Sequence, residues 1–250
     1  MKKTKDIERL ASILANGSKL QRSDAAYQLY WIFWHGEGVK ADRKRAMGYL
    51  RTAAENDLAG AMYQLGWHYD NGVFVRKNLV KAIEWYGKAA DKGDTWAQVD
   101  LGQIYLDGER GVEKDYAQAV RLFRKAVRKK DELAFFNLGL CYDFGKGVRR
   151  SDARACKYYV EAARRGHVEA MCNLGAVLAD YKGSQKAAVR WTRRAAMRGD
   201  DIAMSNLGRW YASGECGLRA NRRLAMKWLG KSAAKGNKNA AKKMENLLSS

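Results

Sequence analysis

The sequence predicts an all-α protein, a right-handed α-solenoid of six helix-turn-helix units with a capping helix at each end. Three observations carry this. The 250 residues contain no proline, where average usage of roughly 5% would supply about a dozen. Glycine, by contrast, occurs 24 times, and glycine without proline punctuates helices joined by left-handed turns rather than strands and their edges. The third observation is self-similarity. A leucine recurs at Leu29, Leu65, Leu101, Leu138, Leu174 and Leu207, with spacings of 36, 36, 37, 36 and 33. Such a period marks an array of small units, none of which can bury its apolar face alone.

Residues 1–24 are expected to form an N-terminal cap, since Ile7, Leu10, Ala11 and Leu14 recur at helical spacing between Thr4 and Ala15. The units then run 25–60, 61–96, 97–133, 134–169, 170–202 and 203–239. In each first helix an alanine stands four residues before the leucine, at Ala25, Ala61, Ala97, Ala134, Ala170 and Ala203. Four residues after it stand Phe33, Tyr69, Tyr105, Tyr142, Leu178 and Tyr211. Residues at i, i+4 and i+8 share one helical stripe. The residue beside the leucine is Gly66, Gly102, Gly139, Gly175 and Gly208, with Tyr30 in the first unit. Glycine there lets a neighbouring backbone approach.

Each second helix opens its apolar face with a pair such as Ala82-Ile83. A bulky pair such as Trp85-Tyr86 and a small pair such as Ala89-Ala90 follow. Gly93, Gly166, Gly199 and Gly236 suit left-handed caps, and Asn56 is read as the first unit's departure from that glycine. The fifth unit has almost no loop between Asp180 and Gln185, which predicts a tighter turn. Residues 240–250 are expected to cap the other end, with Ala241, Met244, Leu247 and Leu248 inward and Lys242 and Lys243 outward.

The stretch from Ala61 to Gly72, AMYQLGWHYDNG, and that from Lys81 to Asp94, KAIEWYGKAADKGD, are similar to the Sel1-like repeat, a relative of the tetratricopeptide repeat. The resemblance covers about residues 25 to 237. Local departures are Tyr30 for glycine, Asn71-Gly72-Val73-Phe74 where GxGV is expected, and one extra residue within Gly108-Glu109-Arg110-Gly111-Val112. The resemblance implies a scaffold that binds protein partners. It also implies that first helices line a concave groove, presenting the residues two before and two and five after the leucine. These are Tyr27, Trp31 and Trp34; Tyr63, Trp67 and Asp70; Val99, Gln103 and Leu106; Phe136, Leu140 and Asp143; Cys172, Ala176 and Ala179; and Ser205, Arg209 and Ala212. Relatives can staple paired helices with cysteines about eight residues apart, and no such pair occurs here.

Catalytic and cofactor chemistry finds no support. The glycine loops, such as Gly36-Glu37-Gly38-Val39 and Gly145-Lys146-Gly147-Val148, punctuate hairpins and lack the strand and Lys-Ser/Thr pair of a phosphate cradle. His35, His68 and His167 share no metal-binding spacing. His68 falls in a column with Ile32, Ile104, Cys141, Val177 and Trp210, so a packed histidine is expected. Cys156 and Cys141 occupy apolar columns, Cys216 lies in a loop, and no CxxC pair exists, which reads as a reduced chain. No catalytic residue, cofactor or metal is expected. No run of about 20 apolar residues spans a membrane, and the N-terminus lacks a signal peptide's apolar core, so a cytoplasmic location is expected.

Charge is uneven. The formal net charge is +20. Residues 1–133 hold 24 basic and 18 acidic side chains, whereas 134–250 hold 23 and 9. The dense points include Arg149-Arg150, Arg193-Arg194 and Arg222-Arg223. Such a field favours encounter with an acidic partner. The expected function is therefore a non-enzymatic scaffold that captures an acidic protein partner in its groove through Tyr63, Trp67, Asp70, Trp31, Trp34, Gln103, Phe136, Asp143 and Arg209. A narrower form is an immunity protein that neutralises a cognate bacterial toxin. The alternative is nucleic-acid binding by the basic C-terminal units, against which stands the separation of aromatics and charge to opposite ends.

Overall fold

The computed structural model describes residues 2–108 and 111–249, which leaves the Glu109-Arg110 insertion of the third unit outside the described residues. Among these residues the chain is helical throughout, with no strand. It divides into two compact units, residues 1–129 and 130–250. In the first, α1 (Lys2–Asn16) precedes three hairpins: α2 (Lys19–His35) with α3 (Arg43–Glu55), α4 (Ala59–Asn71) with α5 (Leu79–Asp91), and α6 (Thr95–Asp107) with α7 (Tyr116–Val127). In the second, α8 (Glu132–Phe144) pairs with α9 (Asp152–Arg165), α10 (Val168–Ala179) with α11 (Gln185–Met197), and α12 (Asp201–Ser213) with α13 (Arg222–Ala233). The last helix, α14 (Lys238–Ser249), packs on α13.

The repeating columns are the core. The six reference leucines and the six alanines four residues before them are all buried. Each buried leucine contributes about 1.5–3 kcal/mol, and the alanines let paired helices approach. In the bulky pairs the second member goes to the core, so Leu50, Tyr86, Phe123 and Tyr159 are buried while Tyr49, Trp85 and Tyr158 are half-buried. The glycine beside the leucine admits this residue as well as a neighbouring backbone, the Ala82 carbonyl oxygen lying 3.3 Å from a Cβ built on Gly66. A Cβ on Gly66 would lie 2.7 Å from the Tyr86 ring, and one on Gly139 would lie 2.5 Å from that of Tyr159. The first unit exchanges the partners, placing buried Tyr30 on the first helix opposite the smaller Leu50.

Backbone bonds fix each hairpin turn. First helices end on left-handed glycines, among them Gly36, Gly72, Gly108 and Gly145. The carbonyl at the aromatic column then accepts from the residue that caps the next helix: Asp42 N–H donates to Phe33, Asn78 to Tyr69, Asp115 to Tyr105, Ser151 to Tyr142 and Asn221 to Tyr211, at 2.7–2.9 Å. Side chains of the same capping residues accept a second bond from the helix they open. In the fifth unit Asp180 replaces the glycine with right-handed geometry, and Ser184 N–H donates to Tyr181 instead, 3.0 Å away. The turn is shorter, as its sequence predicts.

Several sequence expectations shift by a residue or a face. The left-handed position closing the first unit is Asp57 (φ 74), not Asn56, which is right of that register at φ −87. In α1, Leu10 is buried and Ile7, Ile13 and Leu14 are half-buried, whereas Ala11 faces solvent. In α14 the buried residue is Ala240, while Leu248 is exposed and Lys243 is half-buried.

Candidate functional site

The groove lies on the first helices of the first compact unit. Trp31 and Trp34 from α2 and Tyr63 and Trp67 from α4 are half-buried. With Tyr30 and Gln64 they enclose a cavity of about 320 Å³. The aromatics support one another: the Tyr30 ring meets Trp31 edge-on at 4.8 Å, and Tyr63 lies 5.6 Å from Tyr86. Trp67 also bounds a second cavity of about 250 Å³, whose other walls include Asp70, Tyr86, Asp100, Gln103 and Asp107. Trp67 is thus common to both cavities.

Three aspartates stand among the described residues that line the second cavity. Tyr63 donates its hydroxyl to Asp100 Oδ2 at 3.1 Å, and Gln103 donates Nε2 to Asp107 Oδ2 at 2.5 Å. Burial raises the Tyr63 phenol first, and the carboxylate of Asp100 raises it further. Burial likewise leads for Tyr86, with Asp100 and Asp70 adding to it. Both phenols stay protonated at ordinary pH.

His68 holds the groove from behind. It is fully buried. Its Nδ1 lies 2.8 Å from the Val73 carbonyl, which can only accept, so Nδ1 carries the proton and Nε2 accepts from the Tyr30 hydroxyl at 2.9 Å. Burial lowers its pKa and keeps it neutral. This packed histidine ties the loop after α4 to α2. Next in that loop, Phe74 stands at φ 62, where the corresponding residues of other units are Gly38 and Gly147. Its ring is exposed and meets Trp34 edge-on at 6.2 Å.

Of the remaining expected groove residues, those of the second compact unit include Arg209 and Ala212, which line a cavity of about 280 Å³ with Ser213, Leu229, Lys243, Asn246 and Leu247. Phe136 stacks on the His167 ring at 4.2 Å, Asp143 accepts from the Tyr159 hydroxyl at 3.0 Å, and Arg209 is paired with Glu215. Four positions expected to point into the groove are buried instead: Val99, Leu106, Cys172 and Ser205. At the same register Leu140, Ala179 and Ala212 are half-buried and Ala176 is exposed.

Arg149, Arg150, Arg193, Arg194, Arg222 and Arg223 are all exposed. They make local contacts: Arg150 with Asp152 at 3.3 Å, Arg193 with the Tyr211 hydroxyl at 2.9 Å, and Arg222 with the Leu247 carbonyl. One basic feature escaped the sequence reading, a cavity of about 500 Å³ lined by Arg51, Tyr69, Arg76, Lys77 and Lys81. It joins α3 to the loop before α5, and only stacking brings those residues together. Asp100, Asp107 and Phe74 were missed as well. Only Phe74 carried a signal, as an aromatic standing in a glycine column.

Burial raises the thiols of Cys156, Cys172 and Cys216, which opposes nucleophilic use. Among the described residues no three His, Cys, Asp or Glu side chains converge as metal ligands, and no helix is long and apolar enough to cross a membrane.

Comparison with known proteins agrees with this architecture. The chain is 29% identical to a protective antigen of uropathogenic Escherichia coli with an SLR fold, with a TM-score of 0.84, over 97% of this chain and 51% of that one. It is 30% identical to a Sel1 repeat protein from Oxalobacter formigenes, with a TM-score of 0.76, over 85% of this chain and 88% of that one. An uncharacterized protein of Neisseria meningitidis is 33% identical over 116 residues, 46% of this chain and 24% of the relative. The chain thus spans about half the length of the Escherichia antigen and a quarter of the Neisseria protein. The Sel1 repeat pattern matches residues 23–58, 59–94, 97–131, 134–167, 168–200 and 201–237. With six consecutive matches over most of its length, the chain belongs to the Sel1 repeat family.

Proposed function

We propose that this protein is a non-enzymatic scaffold that captures a protein partner in the aromatic groove of its first compact unit. Sel1 repeats mediate protein–protein interactions and generally form a non-catalytic scaffold. The observation that carries the reading is the pair of adjoining cavities sharing Trp67. Half-buried tryptophan and tyrosine in a preformed cleft are the usual anchors of an interface, because they release much apolar area at small entropic cost. Trp31, Trp34, Tyr63 and Trp67 supply those anchors, and Asp70 and Gln103 their polar edge. Phe136, Asp143 and Arg209 belong to the second compact unit, outside this groove.

The expectation of an acidic partner rests on the exposed arginine pairs of the second unit and on the basic cavity at Arg51, Arg76, Lys77 and Lys81. Nothing in the groove supports it. An immunity protein that blocks a toxin is one form such a scaffold could take. Nucleic-acid binding by the basic C-terminal units is disfavoured, since the groove aromatics that could stack on bases lie on α2 and α4, outside those units.

The test is affinity capture from native lysate with wild-type protein and with the Tyr63→Ala/Trp67→Ala double variant. The expected outcome is loss of the captured partner by at least about tenfold, with helicity by circular dichroism retained. Full-strength capture by the folded double variant would remove the groove from the function.

A further inference from the structure

We propose that the basic cavity between α3 and the loop before α5 is a second docking site. It takes an acidic segment of the protein partner, whose adjacent carboxylates meet Arg51, Arg76, Lys77 and Lys81. This goes beyond the aromatic groove, since it assigns a separate surface and the charge of what that surface holds.

The first ground is convergence of charge. The cavity measures about 500 Å³, and four of its seven described lining residues are cations. Arg51 comes from α3, Arg76 and Lys77 from the loop after α4, and Lys81 from the first turn of α5. Folding thus brings like charges of two hairpins to one concave surface, which focuses their field and favours an anion. Asn78, which caps the Lys81 N–H at 3.0 Å, also lines the cavity. The N-terminus of α5 therefore adds positive potential there, and Lys81 stands where the helix dipole disfavours a cation. The repeat does not demand this set. Aligned on the capping residue, the places of Arg76, Lys77 and Lys81 hold Glu113, Lys114 and Gln118 in the third unit. In the sixth they hold Arg219, Ala220 and Leu224, whereas the fourth keeps arginine at all three.

The second ground is that the walls are held in place. Asn78 N–H donates to the Tyr69 carbonyl at 2.8 Å, and His68 donates Nδ1 to the Val73 carbonyl at 2.8 Å. Lys81 Nζ lies over the Tyr69 ring, 5.4 Å from its centroid. A loop pinned at both ends presents its charges at small ordering cost. The column of Arg51 reaches such a notch in the sixth unit as well, where Arg193 donates to the Tyr211 hydroxyl at 2.9 Å. Third, Phe74 favours a protein segment over a lone anion. It precedes Val75 of the cavity wall, and its exposed ring meets Trp34 of the groove edge-on at 6.2 Å. It keeps left-handed backbone where other units have Gly38 and Gly147, and strain of this kind collects at ligand sites. An apolar side chain on Phe74 with carboxylates beside it fits one segment, whereas free phosphate would use the cations alone.

A net charge of +20 draws any anion, so the test must separate this site from the general field. Fluorescence anisotropy on the full chain does so with three labelled hexapeptides alternating leucine with glutamate, glutamine or arginine. The glutamate peptide should bind at least about tenfold more tightly than the others. Arg76→Gln with Lys77→Gln, both at exposed loop positions, should remove that preference with helicity retained. A charge-matched control, Lys186→Gln with Lys227→Gln at exposed helix positions of the second compact unit, should leave affinity unchanged.

No preference for the glutamate peptide, full preference in the Arg76→Gln/Lys77→Gln variant, or equal loss in the control would overturn the proposal. Displacement of the labelled peptide by less inorganic pyrophosphate than unlabelled glutamate peptide would make phosphate the ligand and overturn the acidic segment. Tighter binding of a labelled oligothymidylate, lost in the same variant, would make nucleic acid the occupant and overturn it likewise. Arg76 and Lys77 stand outside the lining of the aromatic groove. Failure here therefore leaves capture through Trp67 standing, and full capture by the Tyr63→Ala/Trp67→Ala variant leaves this site standing.

Discussion

Single residues depart from the repeat where they meet a particular neighbour. The position that closes each unit is left-handed, and glycine fills it at Gly93, Gly166, Gly199 and Gly236. Lys130 occupies it at φ 61 with its side chain exposed. Replacing Lys130 with glycine should raise stability by about 0.5–1 kcal/mol, the relief of left-handed strain less the greater entropy of the unfolded chain. Urea unfolding with an unchanged m-value checks this. Asp57 holds the same geometry differently, accepting Lys19 at 2.5 Å and Lys92 at 3.1 Å, which together lower its pKa. The sequence expectation for Asp57 stood one residue early, at Asn56, and Lys130 carried none. His167 stands in a column where Asp94, Asp131 and Asp200 cap their helices, a role the sequence reading did not assign to it. It does their work, its Nδ1 accepting from the Ala170 N–H at 3.2 Å.

Complementarity between paired helices is the device that recurs at the scale of the element. Bulk on one helix meets glycine on the other, as Tyr159 meets Gly139 and Phe123 meets Gly102. Gly139→Ala should therefore destabilise by about 1–3 kcal/mol, since the ring must shift in a filled core. Adding Tyr159→Leu, the residue type at the matching Leu50 and Leu229, should make the double variant less destabilised than the sum of the singles. Thermal unfolding of the four proteins measures that coupling. Tyr159 also donates to Asp143, so recovery stays incomplete. The helices themselves were nearly all readable, because amphipathic period, caps and glycine turns are local. What escaped was orientation at the margins, as with Ala11 and Leu248, where a terminal helix meets a partner on one side only.

For the whole molecule, each compact unit holds one buried histidine, His68 in the first and His167 in the second. Burial lowers both pKa values from the ordinary 6.5. The unfolded chain then binds more protons than the folded one below that value, so stability is full above about pH 7 and declines as pH falls through 6.5 toward the lowered folded values. Melting temperatures at pH 7.5, 6.0 and 5.0 should fall in that order. His167→Asp keeps a capping acceptor but not the buried base, and should flatten the decline by up to one proton, about 1.4 kcal/mol per pH unit. An unchanged slope would assign the acid sensitivity elsewhere.

The sequence by itself determined the repeated helical hairpins, their turns and the columns that fill their cores. Those constraints act within one unit and recur six times, so they stand out as periodicity. Only the tertiary structure decided which acids share a cleft. Asp70 lies on α4 and Asp100 and Asp107 lie on α6, and they obey no shared column, so each alone is an ordinary solvated acid. Stacking one hairpin against the next sets all three beside Trp67. A net charge of +20 does not show such a grouping, because a sum over the chain does not report which charges share a cleft.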